Sequence, residues 1–195
     1  MGGGSQLQVD GLLSLTDGTS VAAASLNAYT SGQPTPNYYQ GVTFTAGSMV
    51  LDDLSSISAD GGGYTVSSGW FGSGPGGYTC TWGSDGASYG GKGSGVHSPD
   101  AYGSVQSPID LGSASAVGTD GGGAVRLAVS GAFQFDGLIT ASGTSSGTGH
   151  SGASGGSIWI TAGSLTGDGY ASACAAPKGT DNGTTDSAGG RIAVW

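Results

Sequence analysis

The sequence is poor in charge and contains no glutamate. Its 195 residues include 13 acidic side chains, all of them Asp, and only four basic ones. Charged residues make up 9% of the chain, against about 25% in an ordinary soluble domain. Amphipathic helices need many charged side chains on their solvent face, so this composition excludes a helical bundle. The net charge of −9 offers nothing to replace phosphate counterions, which excludes nucleic acid as a partner.

Long apolar stretches are missing as well, and we expect no membrane insertion because no run of about 18 apolar residues occurs. Glycine, in contrast, accounts for 43 residues and proline for 6. Such a share of Gly and Pro is typical of disordered chains, but hydrophobic residues still make up 36% of this one. They cluster into short runs typical of β-strands, such as 125–129, 157–161 and 191–195. We therefore expect one folded domain over 1–195.

These runs belong to a repeat. Gly123, Gly156 and Gly190 each lead into a run in which apolar and other residues alternate, and they lie 33 and 34 residues apart. Gly41 leads into a fourth run of the same kind. Repeats of this length indicate stacked units, each of which buries its apolar face against the next one.

One unit reads as strand, turn, strand, turn, strand and loop. In the unit 156–189 we place the strands at 157–162, 165–167 and 170–174. Three short strands and about 19 residues per turn are typical of a coil of a β-helix. The predicted fold is an all-β, right-handed parallel β-helix, a solenoid with long Gly-rich loops between its coils. A β-sandwich is the alternative, but it has no reason to repeat the same corners.

Alternation assigns the side chains to two faces. Outward positions are predicted for Arg126, Trp159 and Arg191, which we place in one register. The inward set comprises Val125, Leu127, Ile158, Ile160, Ile192 and Val194.

The longest segment between these runs covers about 62–122 and is rich in Gly, Ser and Tyr. We predict that it is an irregular insertion folded back against the β-helix, because it contains too many aromatic residues for a solvated linker. Both ends of the sequence stop inside the repeat pattern. Two interpretations follow: the chain is a fragment of a longer repeat protein, or copies stack end to end into a filament through unpaired strand edges.

Several pieces of the sequence occur in the order found in a known group of proteins. They are Gly121-Gly-Gly-Ala-Val-Arg-Leu, Asp136-Gly-Leu-Ile-Thr-Ala, Gly155-Gly-Ser-Ile-Trp-Ile-Thr-Ala and Gly189-Gly-Arg-Ile-Ala-Val. They resemble glycine-rich modules of very large bacterial surface proteins, over most of 41–195. The resemblance implies an extracellular or cell-surface parallel β-helix of adhesin-like type, and no catalytic residues transfer with it.

Asp-Gly corners recur along the chain. Leu7-Gln-Val-Asp-Gly-Leu resembles Phe133-Gln-Phe-Asp-Gly-Leu, which predicts that Asp10, Asp136 and Asp168 occupy one position of the unit. Asp-Gly suits a tight turn without any metal, and we favour that interpretation. The alternative is a ladder of carboxylates about 5 Å apart that shares Ca²⁺. No other cofactor is predicted.

Exposed aromatic residues are the candidates for binding. Trp70, Trp82, Tyr89 and Trp159 are predicted to contact a polysaccharide or a partner protein, because amphipathic rings are common in such contacts. The alternative is that these rings pack beneath the long insertion.

Catalysis has little support. A pectate-lyase-like enzyme would need Ca²⁺-bound carboxylates and a base, yet Arg126 has no acidic cluster beside it in sequence, and His97 and His150 are isolated in Gly/Ser loops. The other cationic side chains are Lys92, Lys178 and Arg191. We therefore predict a non-catalytic, extracellular structural or adhesive element that associates with itself or with neighbouring repeats. A carbohydrate-binding module and a polysaccharide lyase are the alternatives.

The two cysteines allow two interpretations. Cys80 and Cys174 form a disulfide that pins the insertion to the last coil, or Cys174 is a small apolar residue on the inward face of its strand.

Overall fold

The computed structural model describes residues 4–24, 41–66, 71–77, 85–115, 119–145, 151–180 and 185–195. These residues form nine β-strands and no helix. The strands are β1 (Gln6–Leu15), β2 (Ser20–Ala22), β3 (Val42–Leu51), β4 (Ser56–Ser58), β5 (Ala124–Phe135), β6 (Leu138–Thr140), β7 (Ser157–Thr166), β8 (Tyr170–Ser172) and β9 (Arg191–Val194).

The strands pair in parallel and form two sheets. The larger sheet has the order β1-β3-β5-β7-β9, and the smaller sheet has the order β2-β4-β6-β8. Consecutive strands therefore alternate between the sheets, and each long strand with the short strand after it makes one turn. The chain winds as a parallel β-solenoid of about four turns, which confirms the predicted fold class.

Inward side chains stack in rows from one turn to the next. Leu127, Ile160 and Val194 pair across neighbouring strands, 33 and 34 residues apart, as the repeat predicts. Phe44 belongs to the same row, which confirms the unit that begins at Gly41. Burying a side chain of this size contributes about 1.5–3 kcal/mol, so the rows supply much of the stability of the solenoid. The smaller sheet adds Ile57 and Ile139 to the same core.

Each turn has two strands instead of the predicted three. The segments predicted as separate strands at 157–162 and 165–167 form the single strand β7. Register shifts within the long strands β1, β3 and β5 take the place of the expected first turn. At the shift, neighbouring turns approach so closely that a Cβ on Gly47 would lie 2.4 Å from the carbonyl oxygen of Asp10. The Gly-rich return segment completes the turn, which is therefore longer than the predicted value of about 19 residues.

The match between the runs that begin at Leu7 and Phe133 does not reflect the stacking. Leu7 pairs with Phe44 and so belongs to the row of Leu127, whereas Leu13 pairs with Met49 in the row of Phe133. Alternating runs look alike along a long strand, and the register is set by the shift in the strand.

The insertion between β4 and β5 packs against the last turns of the solenoid. The Tyr89 hydroxyl and the Ser157 Oγ are 2.5 Å apart, and the Arg191 guanidinium donates a hydrogen bond of 2.9 Å to the Tyr102 carbonyl. Its described residues form isolated bridges, such as the one between Ser73 and Ala114, rather than strands. Backbone hydrogen bonds between its glycines and the return segments join it to the solenoid.

Candidate functional site

The outer face of the larger sheet carries two rows of mostly polar side chains. Alternation along each long strand turns these residues away from the core. The first row consists of Gln6, Thr43, Arg126 and Trp159, and the second of Gln8, Thr45, Ala128 and Thr161. We call these two rows and the spaces above them the outer groove. Its central strands β3 and β5 are paired on both sides, so side chains rather than strand-edge amides are available to a ligand.

Arg126 and Trp159 make the closest contact between charged and aromatic groups on this face. They pair directly across β5 and β7, as the sequence predicts, and the guanidinium carbon lies 4.3 Å from the centre of the indole ring. Arg126 is exposed and forms no ion pair with any described residue. The Trp159 ring is half-buried, and its N–H has no hydrogen-bond partner in the described part of the chain. Trp159 therefore supports the guanidinium from one side and leaves its N–H groups open to solvent.

Two hollows lie along the outer groove. The first encloses about 190 Å³ between the first row and the segment at Pro108 and Ile109. Its polar lining side chains are Gln6, Thr43 and Arg126. The second encloses about 360 Å³ above the second row and also touches Asp10 and Ser130.

The aromatic residues predicted for binding differ in where they lie. Trp159 is on the outer face, as expected, whereas Trp70 and Trp82 lie outside the described residues. Tyr89 is completely buried between the insertion and the solenoid. Its burial raises the pKa of the phenol to about 12, opposed in part by the hydrogen bond with Ser157. No sugar reaches this ring, so Tyr89 belongs to the packing of the insertion.

Arg191 does not share the register of Trp159. It pairs with Ser157, two positions earlier on β7, and the guanidinium binds the Tyr102 carbonyl. The corner before β9 has Gly190 where the alternation suggested a simple continuation, and the hydrogen bonds to the insertion fix the side chain there.

The predicted aspartate ladder is only partly aligned. Asp136 and Asp168 follow β5 and β7, and the Asp136 carboxylate accepts a hydrogen bond of 3.1 Å from the Asp168 backbone N–H. One turn earlier, the Asp52 carboxylate accepts a hydrogen bond of 2.7 Å from the Asp17 N–H. Asp10 instead lies within β1 at the register shift, so its place in the corner row is taken by Asp17.

These carboxylates cap backbone N–H groups of the adjacent turn, which is turn chemistry of the kind that Asp favours. Among the described residues, no group of three or more His, Cys, Asp or Glu side chains is arranged to hold a metal ion.

Cys174 is exposed and unbonded in this structure, and its Sγ lies 3.1 Å from the Ser172 Oγ. The interpretation that Cys174 faces inward is wrong, because Ala171 and Ala173 are the residues of this segment that pack against the core. Cys80 lies outside the described residues.

His97 has a neighbour that its sequence context does not indicate. Its backbone N–H donates a hydrogen bond of 2.7 Å to the buried Asp85 carboxylate, and its Nδ1 lies 3.3 Å from the same oxygen. Gly95, with φ of +122°, makes the tight turn that brings the two together. No periodic pattern links positions 85 and 97, so sequence analysis had no signal for this pair. His150 lies outside the described residues.

The two ends of the solenoid expose core rows. Ile192 and Val194 are 45% and 48% exposed, although their partners Ile158 and Ile160 in the adjacent strand are buried. At the other end, Leu7 is only half-buried. Within the described residues, β1 and β9 each pair with one neighbour only. The inward assignment of Ile192 and Val194 is right in register, but the end of the solenoid leaves them uncovered.

Among the described residues, no helix is long and apolar enough to cross a membrane. Comparisons with known protein families, curated proteins and solved structures gave no match. The resemblance to glycine-rich surface modules accordingly stays a prediction from the sequence.

Proposed function

We propose that the chain is a non-catalytic, extracellular structural and adhesive β-solenoid that associates end to end, with another copy or with neighbouring repeats of the same protein. The observation that carries this proposal is the exposure of core rows at both ends of the larger sheet. An extracellular place is supported by the resemblance to bacterial surface modules.

The two ends are complementary in character. One row of inward residues runs from Leu7 at the first turn to Val194 at the last, and it is apolar throughout. A second copy whose β1 followed β9 would continue both this row and the parallel hydrogen-bond ladder. Such a head-to-tail contact joins different surfaces of the two copies, so its repetition produces a filament when it does not close into a ring.

A non-catalytic role is supported by what the cationic side chains do. Lys92 pairs with Asp100 at 3.2 Å, and Arg191 holds the insertion through the Tyr102 carbonyl. His97 is bound to Asp85. These groups serve local structure, and incubation with polygalacturonate is expected to release no unsaturated product. Ultraviolet-absorbing product that disappears in Arg126→Ala would favour the lyase instead.

Sedimentation and negative-stain electron microscopy over a concentration series test the association. We expect filaments or concentration-dependent oligomers, and we expect Ile192→Lys to abolish them because a lysine on the open edge opposes strand pairing. Val96→Lys is the matched control, since Val96 is 90% exposed on the insertion and far from the rows of the core. Monomers at every concentration would overturn the proposal. Filaments that dissolve on chelation would assign a role to Ca²⁺ at the aspartate corners.

A further inference from the structure

We propose that the outer groove binds an acidic polysaccharide, with the carboxylate of one uronic-acid unit at Arg126. This inference goes beyond end-to-end association and does not depend on it, because the groove lies on the side of the solenoid and the open rows lie at its ends.

The first step is the state of Arg126. The protein carries four cationic side chains and a net charge of −9. Arg126 nevertheless forms no ion pair with any described residue, although it is exposed and lies at the centre of the larger sheet. Asp10 reaches only the second hollow and is 3.4 Å from the Gln8 amide. A guanidinium without a carboxylate partner is suited to an anionic group supplied by a ligand, which it binds through two parallel hydrogen bonds.

The second step is the support beneath that charge. The Trp159 ring lies 4.3 Å from the guanidinium carbon and limits the positions that the side chain adopts. An arginine held on an aromatic face loses less side-chain freedom when it binds a ligand. Trp159 is therefore a positioning residue for Arg126, rather than the sugar-stacking platform that the sequence suggested.

The third step is the chemistry around the carboxylate position. Gln6 and Thr43 share the first row with Arg126, and Gln8, Thr45 and Thr161 line the second hollow. Amide and hydroxyl groups donate and accept hydrogen bonds, as sugar hydroxyls do. Ile109 and Pro108 add an apolar wall that suits the C–H face of a sugar ring.

The fourth step excludes an extended peptide as the occupant. The backbone groups of β3 and β5 are engaged in parallel ladders on both sides, so this face offers no strand edge for a peptide to extend. Residues two apart along a strand are separated by about 6.6 Å, so the two adjacent hollows provide places for more than one sugar unit. A polymer of uronic acid matches a groove with one cation and several neutral polar groups.

The binding experiment uses the Ile192→Lys protein, so that filament formation does not interfere, and about 0.15 M salt, at which repulsion beyond about 8 Å is screened. The probes are polygalacturonate, alginate, fully methyl-esterified polygalacturonate and free galacturonic acid, measured by calorimetry. We expect at least one uronate polymer to bind. The methyl ester, which has the same backbone without the charge, is expected to bind at least about tenfold more weakly.

Arg126→Gln removes the charge with little change in size, and we expect it to weaken polymer binding at least about tenfold. Lys178→Gln is the matched control, because it removes an exposed charge elsewhere and leaves affinity unchanged. Trp159→Leu is expected to weaken binding less than Arg126→Gln does, while circular dichroism verifies folding. The proposal is overturned if neither uronate polymer binds, if the ester binds equally well, or if Arg126→Gln binds like its parent. Equal affinity for free galacturonic acid would overturn the extended groove.

Discussion

The guanidinium carbon of Arg126 lies 4.3 Å from the centre of the Trp159 ring, and the two residues are direct partners across β5 and β7. Stacking of turns thus places a cation over an aromatic ring that is 33 residues away in sequence. The pair occupies the middle of the outer face, where both neighbouring strands are paired. Its geometry follows from the register of the solenoid and needs no contact with the insertion.

This contact predicts an energetic coupling between the two side chains. In a double-mutant cycle of Arg126→Ala and Trp159→Leu, we expect a coupling of about 0.5–1 kcal/mol, the value for an exposed cation–π contact. Urea unfolding of the parent, the single variants and the double variant provides the measurement. Strictly additive effects would show that the guanidinium is not held by the ring, and would remove the positioning role of Trp159.

Close packing between turns makes a second prediction. A Cβ on Gly156 would lie 1.9 Å from the carbonyl oxygen of Gly123, whereas a Cβ on Gly11 meets nothing within 4 Å. Gly156→Ala therefore forces the backbones of two turns apart, and we expect a loss of about 1–3 kcal/mol or more in the free energy of unfolding. Gly11→Ala is the matched control, and its reduction of unfolded-chain entropy is worth about 0.4–1 kcal/mol of stabilisation. Thermal melts that rank the two variants in the opposite order would contradict the stacking at this corner.

The repeat made the solenoid predictable from sequence. Leu127 and Ile160 follow glycine-led runs at a constant spacing, and alternation then assigns the buried face without further information. The row of Thr43 and Arg126 follows from the same register. Periodicity therefore carried the prediction wherever neighbouring turns use the same local chemistry.

The remainder of the structure depends on contacts that have no period. Asp10 resembles Asp136 in its sequence neighbours but lies half a turn away, because the shift within β1 and not the Asp-Gly pair sets the register. Tyr89 reads as an exposed loop aromatic, yet its hydroxyl meets Ser157 across 68 residues. Cys174 alternates outward because Ala173 takes the inward position. Only the three-dimensional path of the insertion and of the return segments decides such contacts.

The burial of Tyr89 makes a prediction about alkaline pH. Its pKa is raised from 10.0 to about 12, chiefly by desolvation, so the folded state favours the neutral phenol. The corresponding stabilisation is fully present below pH 10 and is lost as the pH rises through about 12, because the unfolded chain ionises first. Burial also raises the pKa of Tyr102, which adds to the loss in the same direction.

Tyr89→Phe separates this effect from general alkaline unfolding. At pH 7 the variant lacks the hydrogen bond to Ser157, and we expect it to be less stable by about 0.5–1.5 kcal/mol. Its stability should then fall less steeply between pH 10 and 12 than that of the parent protein, since one buried phenol no longer ionises on unfolding. Tyr170→Phe, at an exposed position, is the control and should follow the parent throughout. Parallel curves for Tyr89→Phe and the parent would mean that Tyr89 ionises in the folded protein, and that the insertion does not seal it against the solenoid.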